Sequence, residues 1–130
     1  ENKDGTYYPN EIKVVTVYGQ KYYDFNKAFY DETQGMLPLP PNYALSETNS
    51  IITKAHQYGI PPYYYTQLQQ EMMALNSPYG ILSVLRDSDW RLFSFYVHQD
   101  PYTQSRIISE GYKVWQEVIK LNPDRKLEGM

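Results

Sequence analysis

There is no cysteine among the 130 residues, which excludes disulfide frameworks, thiolate zinc sites and cysteine nucleophiles. Basic charge is scarce as well. The 12 Lys and Arg are outnumbered by 15 Asp and Glu, a formal charge of −3, so the chain lacks the cationic excess of a protein whose affinity rests on neutralising phosphates. Nucleic acid is therefore not an expected partner. No run approaches the roughly 18 consecutive apolar residues of a membrane span. N-x-S/T sequons, internal repeats and low-complexity tracts are absent too. The stretch Glu1–Asn10 is polar and lacks the charged start and apolar run of a signal peptide, while position 1 is not Met, which is compatible with a leader already removed.

What is present favours one domain, 1–130, large enough to bury roughly two-thirds of its unfolded surface without metal or disulfide staples. Tyrosine dominates the aromatics, with 15 Tyr against 4 Phe and 2 Trp. A tyrosine ring is large, has few rotatable bonds and carries a hydroxyl that can stay wet, so it suits surfaces buried only part of the time. The runs Tyr7-Tyr8, Tyr22-Tyr23 and Tyr63-Tyr64-Tyr65 must turn some rings outward on any periodic element. Tyr7, Tyr8, Tyr22, Tyr23, Tyr63 and Tyr64 are the candidate protein-binding residues; the competing reading is that these rings pack inside the monomer.

Ile12–Tyr18 is rich in β-branched residues, and Gly19-Gln20 is placed to turn it into Lys21–Phe25 as a hairpin. Phe25, Ala28 and Phe29 sit at helical spacing before Gly35 and predict a helix over Asp24–Gln34. Pro38, Pro40 and Pro41 impose an extended connection that crosses apolar surface through Leu37 and Leu39. Ser46 as N-cap, Glu47 in the first turn, the face Ile51, Ile52, Ala55, Tyr58, and Gly59 as the stop predict a second helix. Pro62 opens a third, with the stripe Tyr65, Leu68, Met72, Leu75 and an end at Asn76. Ser77-Pro78 repeats the cap-plus-proline signal and predicts a short, almost wholly apolar turn of helix through Ile81, Leu82, Val84 and Leu85. Trp90–His98 fits either period, because Phe93, Phe95 and Val97 alternate while Trp90, Phe93 and Val97 share a helical face; helix is favoured, since a strand there would lack a partner. Asp100-Pro101 starts the last helix, to about Leu121. Its core face is expected through Ile107, Ile108, Gly111, Val114, Trp115, Val118 and Leu121, and Glu110, Lys113, Glu117 and Lys120 lie outside it. The expected fold is thus all-α: a compact bundle of four to five helices over 24–121, with an irregular or short β-hairpin arm over 1–23 and a charged tail over 122–130.

Chemistry is sparse. His56 lies on the polar side of its helix, and His98 is close enough to Asp100 for a helix-linking hydrogen bond. Asp87 and Asp89 lack the further oxygen ligands and glycine of a calcium loop and are better read as caps for the helix expected after them. There is no nucleophile elbow and no phosphate-cradling loop. No catalytic, cofactor-binding or metal-binding residue is assigned, and no small-molecule substrate is identified. Tyr58–Tyr65 is the most suggestive stretch: Pro61 and Pro62 stiffen the chain ahead of three consecutive rings, making either a protein contact or a stacking platform for a sugar or base. A base is disfavoured because Lys54 is the one nearby cation in sequence.

In its whole profile, through the Tyr runs, the Pro-rich crossing Leu37–Pro41 and the helical second half expected over Ser46–Leu121, the chain resembles small structural proteins of hyperthermophilic archaeal viruses, of the two-tailed and filamentous types. The resemblance implies a helical bundle in a virion that associates with copies of itself or with other structural proteins. A non-enzymatic assembly protein is therefore the first expectation. A small module binding a carbohydrate or other planar ligand on a Tyr platform, in a secreted or extracytoplasmic setting, is the second.

Overall fold

Residues 7–45 and 48–121 are described by the computed structural model. Within them a mixed five-stranded sheet carries three α-helices, so the expected all-α bundle is overturned. The strands are β1 (Asn10–Val15), β2 (Tyr30–Asp31), β3 (Gly35–Met36), β4 (Tyr79–Arg86) and β5 (Arg91–His98), in the order β1-β4-β5-β2-β3. The helices are α1 (Ile51–Tyr58), α2 (Pro62–Leu75) and α3 (Pro101–Leu121).

The departure from a helical bundle is greatest over residues 79–98, which form two strands. The apolar run of β4 does not alternate because the middle of the strand is buried on both faces, and such a run cannot be told from a buried helix by its period. Taken as a helix, it left the alternating β5 with no partner. The two in fact form one long hairpin, from Tyr79 opposite His98 to Arg86 opposite Arg91. Asp87, Ser88, Asp89 and Trp90 make its turn, Trp90 with a positive φ of 55°. Here Asp89 does not cap a helix. Its carboxylate accepts the Arg91 backbone N–H at 3.2 Å and the Nε and Nη2 donors of Arg86 at 3.0 and 2.6 Å, which closes the turn.

The N-terminal β-branched run is a strand, but not half of a hairpin. β1 pairs in parallel with β4, a geometry that needs a long crossover, here the whole stretch through α1 and α2. Beyond it, Gln20–Tyr22 and Phe25–Lys27 are single 3-10 turns, and the helix expected over Asp24–Gln34 is replaced by the second of these together with the short strands β2 and β3. Asp31 sits buried at the start of the β2–β3 turn; hydrogen bonds from Arg91 and Thr33 hold its carboxyl down to about 2.

The punctuation around α1 and α2 was legible. α2 runs from Pro62 and ends at Asn76, whose left-handed conformation returns its N–H to Met72 and Met73. α1 stops at left-handed Gly59 but is shorter than expected: Ser50 is its N-cap, accepting from the Thr53 N–H at 3.2 Å, while Ser46 and Glu47 lie outside the described residues. The register places Leu82 and Val84 of β4 beside Phe93, Phe95 and Val97 of β5 on one face of the sheet. That face packs against Ala55 and Tyr58 of α1 and Tyr65, Leu68 and Met72 of α2, and this layer is the core. α3 has the expected bounds, but of its expected core face Ile107 is half-buried and Gly111 exposed. Ile108, Val114 and Trp115 are exposed, and the side chains of Val118 and Leu121 lie outside the described residues.

Candidate functional site

The groove begins with Gly59. Its φ of +87° is a conformation that L side chains rarely adopt, and a Cβ there would stand 2.8 Å from the Asp24 carbonyl oxygen and 3.0 Å from the Lys27 Cβ. The absent side chain lets the backbone of Asp24 close on the end of α1, its N–H donating to the Gly59 carbonyl at 2.9 Å. Lys27 Nζ adds a bond to the His56 carbonyl at 2.9 Å. This junction carries Tyr22-Tyr23 up to Pro61–Tyr64, across about forty residues of sequence.

The result is an open groove of about 420 Å³ lined by Val14, Val15, Thr16, Gly19, Tyr22, Tyr23, Pro61, Tyr63 and Tyr64. Four of the six tyrosines singled out from sequence therefore meet in one place. Tyr63 is 75% exposed and Tyr22 62%, whereas Tyr23 and Tyr64 are half-buried. Tyr23 stacks on Phe25 at 5.7 Å and so ties the groove to the core, and its burial, with Tyr64 nearby, pushes its hydroxyl pKa up. Tyr64 meets Tyr63 edge-on at 5.5 Å and 77°, with Lys13 Nζ 4.9 Å from the Tyr64 ring centre. A second cleft shares Tyr22, Tyr23 and Pro61 and adds Lys21, Lys27 and His56. The remaining pair lies elsewhere: Tyr7 is exposed, and Tyr8 stacks on Tyr79 at 5.1 Å, which stacks on Tyr96 at 4.9 Å.

Tyr65, last of its run, is fully buried and belongs to a network that sequence reasoning missed. Its hydroxyl donates to Asp100 Oδ2 at 2.6 Å, as does Thr103 Oγ1 at 2.6 Å, and Lys54 Nζ pairs with the same oxygen at 3.0 Å. Both ions are enclosed. Burial opposes ionisation of Asp100, but the hydrogen bonds from Thr103, Tyr65 and Lys54 outweigh it and hold the carboxyl below its usual range; burial and the carboxylate together push the Tyr65 hydroxyl up. The signal was present in α1, where Lys54 shares the stripe of Ile51, Ala55 and Tyr58 and therefore faces the core. Lys54 is thus not the cation of the Tyr platform; Lys13 and Lys21 are, Lys21 Nζ lying 5.2 Å from the Tyr22 ring centre.

The histidines form no catalytic set with the aspartates named above. His56 is exposed, and the His98 ring pairs through Nε2 with the Pro40 carbonyl at 3.1 Å rather than with Asp100, so it pins the Pro-rich crossing to the end of β5. Along that crossing Leu37 is half-buried and Leu39 is exposed. Among the described residues there is no group of three or more acidic or histidine side chains able to hold a metal, and no helix long and apolar enough to cross a membrane. No protein-family model, curated protein or solved structure matches the chain.

Proposed function

We propose that this chain is a non-enzymatic assembly protein whose Tyr-lined groove receives an extended segment of a second copy or of another structural protein. The observation that carries the reading is the convergence of Tyr22, Tyr23, Tyr63 and Tyr64 on one open groove with Pro61 between them. Rings already held by Phe25, Lys13 and each other lose little rotamer entropy when a partner covers them. Aromatic grooves of this kind suit apolar or proline-containing segments. The virion as its setting follows from the resemblance alone and is part of the proposal on that footing. With residues 79–98 forming a hairpin, the resemblance rests on composition rather than on a helical second half.

A planar ligand such as a sugar is the second reading. It is less well supported because Tyr63 and Tyr64 stand nearly perpendicular instead of forming one platform, and no Asn or Gln lines the groove. Light scattering of the full chain at micromolar to millimolar concentration separates the two. The assembly reading expects association that the double variant Tyr22→Ser/Tyr63→Ser weakens at nearly unchanged melting temperature. A strict monomer that co-purifies with nothing overturns it, and quenching of tyrosine fluorescence by a sugar, lost in the same variant, establishes the second reading in its place.

A further inference from the structure

The face of the sheet that carries no helix is less polar than its surroundings predict, and the strand charges all lie on the other side, around the rim of the core. On the face covered by α1 and α2 lie the charged strand residues Glu11, Lys13, Asp31, Arg86 and Arg91. The other face presents Ile12, Val14, Leu85, Leu92, Tyr30 and Met36, and none of its strand positions is Asp, Glu, Lys or Arg. A sheet face left to water is normally the polar one. Here Ile12 is 69% exposed and Met36 70%, and among the described residues no helix packs on that side; Ile81, Ser83 and Ser94 along its middle are buried, and the Tyr8 and Phe29 rings lie against Tyr79 and Tyr96 at one end. Its central polar groups are already satisfied, the Ser83 hydroxyl bridging Asn10 Oδ1 and Ser94 Oγ at 3.0 Å each.

α3 shows the complementary defect. Its first turn is fastened to the helical layer through Asp100 and by Gln104, whose side-chain amide donates to Gln69 Oε1 at 3.0 Å. From Ser105 onward most of the described side chains are open to solvent, Ile108, Tyr112, Val114 and Trp115 being exposed and Ile107 and Gln116 half-buried. Ile108, Tyr112 and Trp115 fall on one stripe at spacings of four and three. Off that stripe Lys113 pairs with Glu110 at 3.7 Å and Lys120 with Glu117 at 3.5 Å, and Arg106 falls on the opposite side of the helix from Ile108, Tyr112 and Trp115. Neither surface would bury an unpaired charge against the other.

The dimensions agree. The free length 105–121 spans about 25 Å at the rise of an α-helix, and the eight-residue strands β4 and β5 span about 27 Å. α3 cannot reach the open face of its own sheet, because its first turn is fixed on the opposite side and the helix runs unbroken from Pro101 to Leu121.

We infer that the free length of α3 docks on the uncovered sheet face of a second copy of this chain. Such a contact buries on the order of 1,200 Å², enough for a specific and stable interface. Donor and acceptor surfaces differ, so it either closes as a reciprocal pair or propagates from copy to copy. It shares Val14 with the edge of the Tyr groove but none of the groove's tyrosines, so the groove variants and the α3 variants tell the two readings apart.

The absence of cysteine makes the test direct. One full-length chain carries Ile12→Cys, another Trp115→Cys, and the two are mixed under mild oxidation and run on a non-reducing gel. A disulfide-linked dimer that needs both variants is expected. In scattering, Ile12→Glu and Trp115→Glu should each weaken association at least tenfold with the circular dichroism unchanged, whereas Tyr22→Ser/Tyr63→Ser should leave the cross-link intact. If Trp115→Cys cross-links efficiently with itself, the helices pair with each other and the inference falls while the chain still assembles. No cross-link in the mixture also overturns it, whatever the Glu variants do to folding.

Discussion

α2 and α3 are both long helices with an apolar stripe, and they have opposite fates. In α2 the stripe of Tyr65, Leu68 and Met72 is sealed against β4 and β5; in α3 the stripe of Ile108, Tyr112 and Trp115 faces solvent. The difference lies in what the chain places beside each helix. α2 belongs to the crossover between the parallel strands β1 and β4 and must lie on the sheet it connects. α3 follows the last strand and has nothing to return to. A periodic apolar face therefore states that a helix needs a partner, and says nothing about whether that partner is in the same molecule.

The contrast can be broken most severely where the two helices are joined. Asp100→Ala leaves Lys54 buried without its counter-ion and should cost about 3–5 kcal/mol in urea unfolding. The same carboxylate sets the acid limit. Its pKa is lower folded than unfolded, so its contribution is complete above the ordinary Asp value near 4 and is lost as pH falls through the folded value. Acid unfolding should therefore begin below about pH 4.

Next in size is a direct comparison of the stripes. Leu68→Ala empties a fully buried site and should cost about 2–5 kcal/mol. Trp115→Ser, at a residue outside the core, should stay within about 0.5 kcal/mol when the protein is dilute. A large loss from Trp115→Ser at low concentration would mean that α3 is packed after all.

A smaller effect marks the electrostatic strain of pressing α2 against β1. Burial, and then the neighbouring Glu11, push the Glu71 carboxyl up to about 7. A carboxyl whose folded pKa is raised favours the folded state at low pH and loses that contribution as pH rises through the folded value. The urea midpoint should therefore fall between pH 5 and pH 8 through this group, and Glu71→Gln should flatten that part of the profile. Equal slopes in the two proteins would remove the pair from consideration.

The smallest expected change is a gain. A Cβ at Gly111 would meet nothing within 4 Å, so Gly111→Ala should raise the helical signal of dilute protein and stabilise α3 by up to about 1 kcal/mol. A loss instead would show that a neighbour approaches the helix there.

Local chemistry was readable wherever one residue dictates backbone geometry. Gly59 and Asn76 end α1 and α2, Pro62 and Pro101 open α2 and α3, and the alternating residues of β5 were recognisably compatible with a strand. The Tyr runs marked half of the groove each, because neighbouring rings on any element diverge. What local reasoning could not supply was pairing. β4 looks helical until β5 is set beside it, β1 looks like half of a hairpin until its parallel partner arrives from seventy residues away, and Lys54 looks solvated until Asp100 reaches it.

From sequence alone came the helix ends, the outward turn of some tyrosines and the dispensability of cysteine, since each depends on one residue or on a short period. The sheet, the meeting of Tyr22-Tyr23 with Tyr63-Tyr64 and the buried Lys54–Asp100 pair were decided by tertiary structure. Each of these joins groups distant in sequence, and the free energy of such contacts exists only once the whole chain has closed around them.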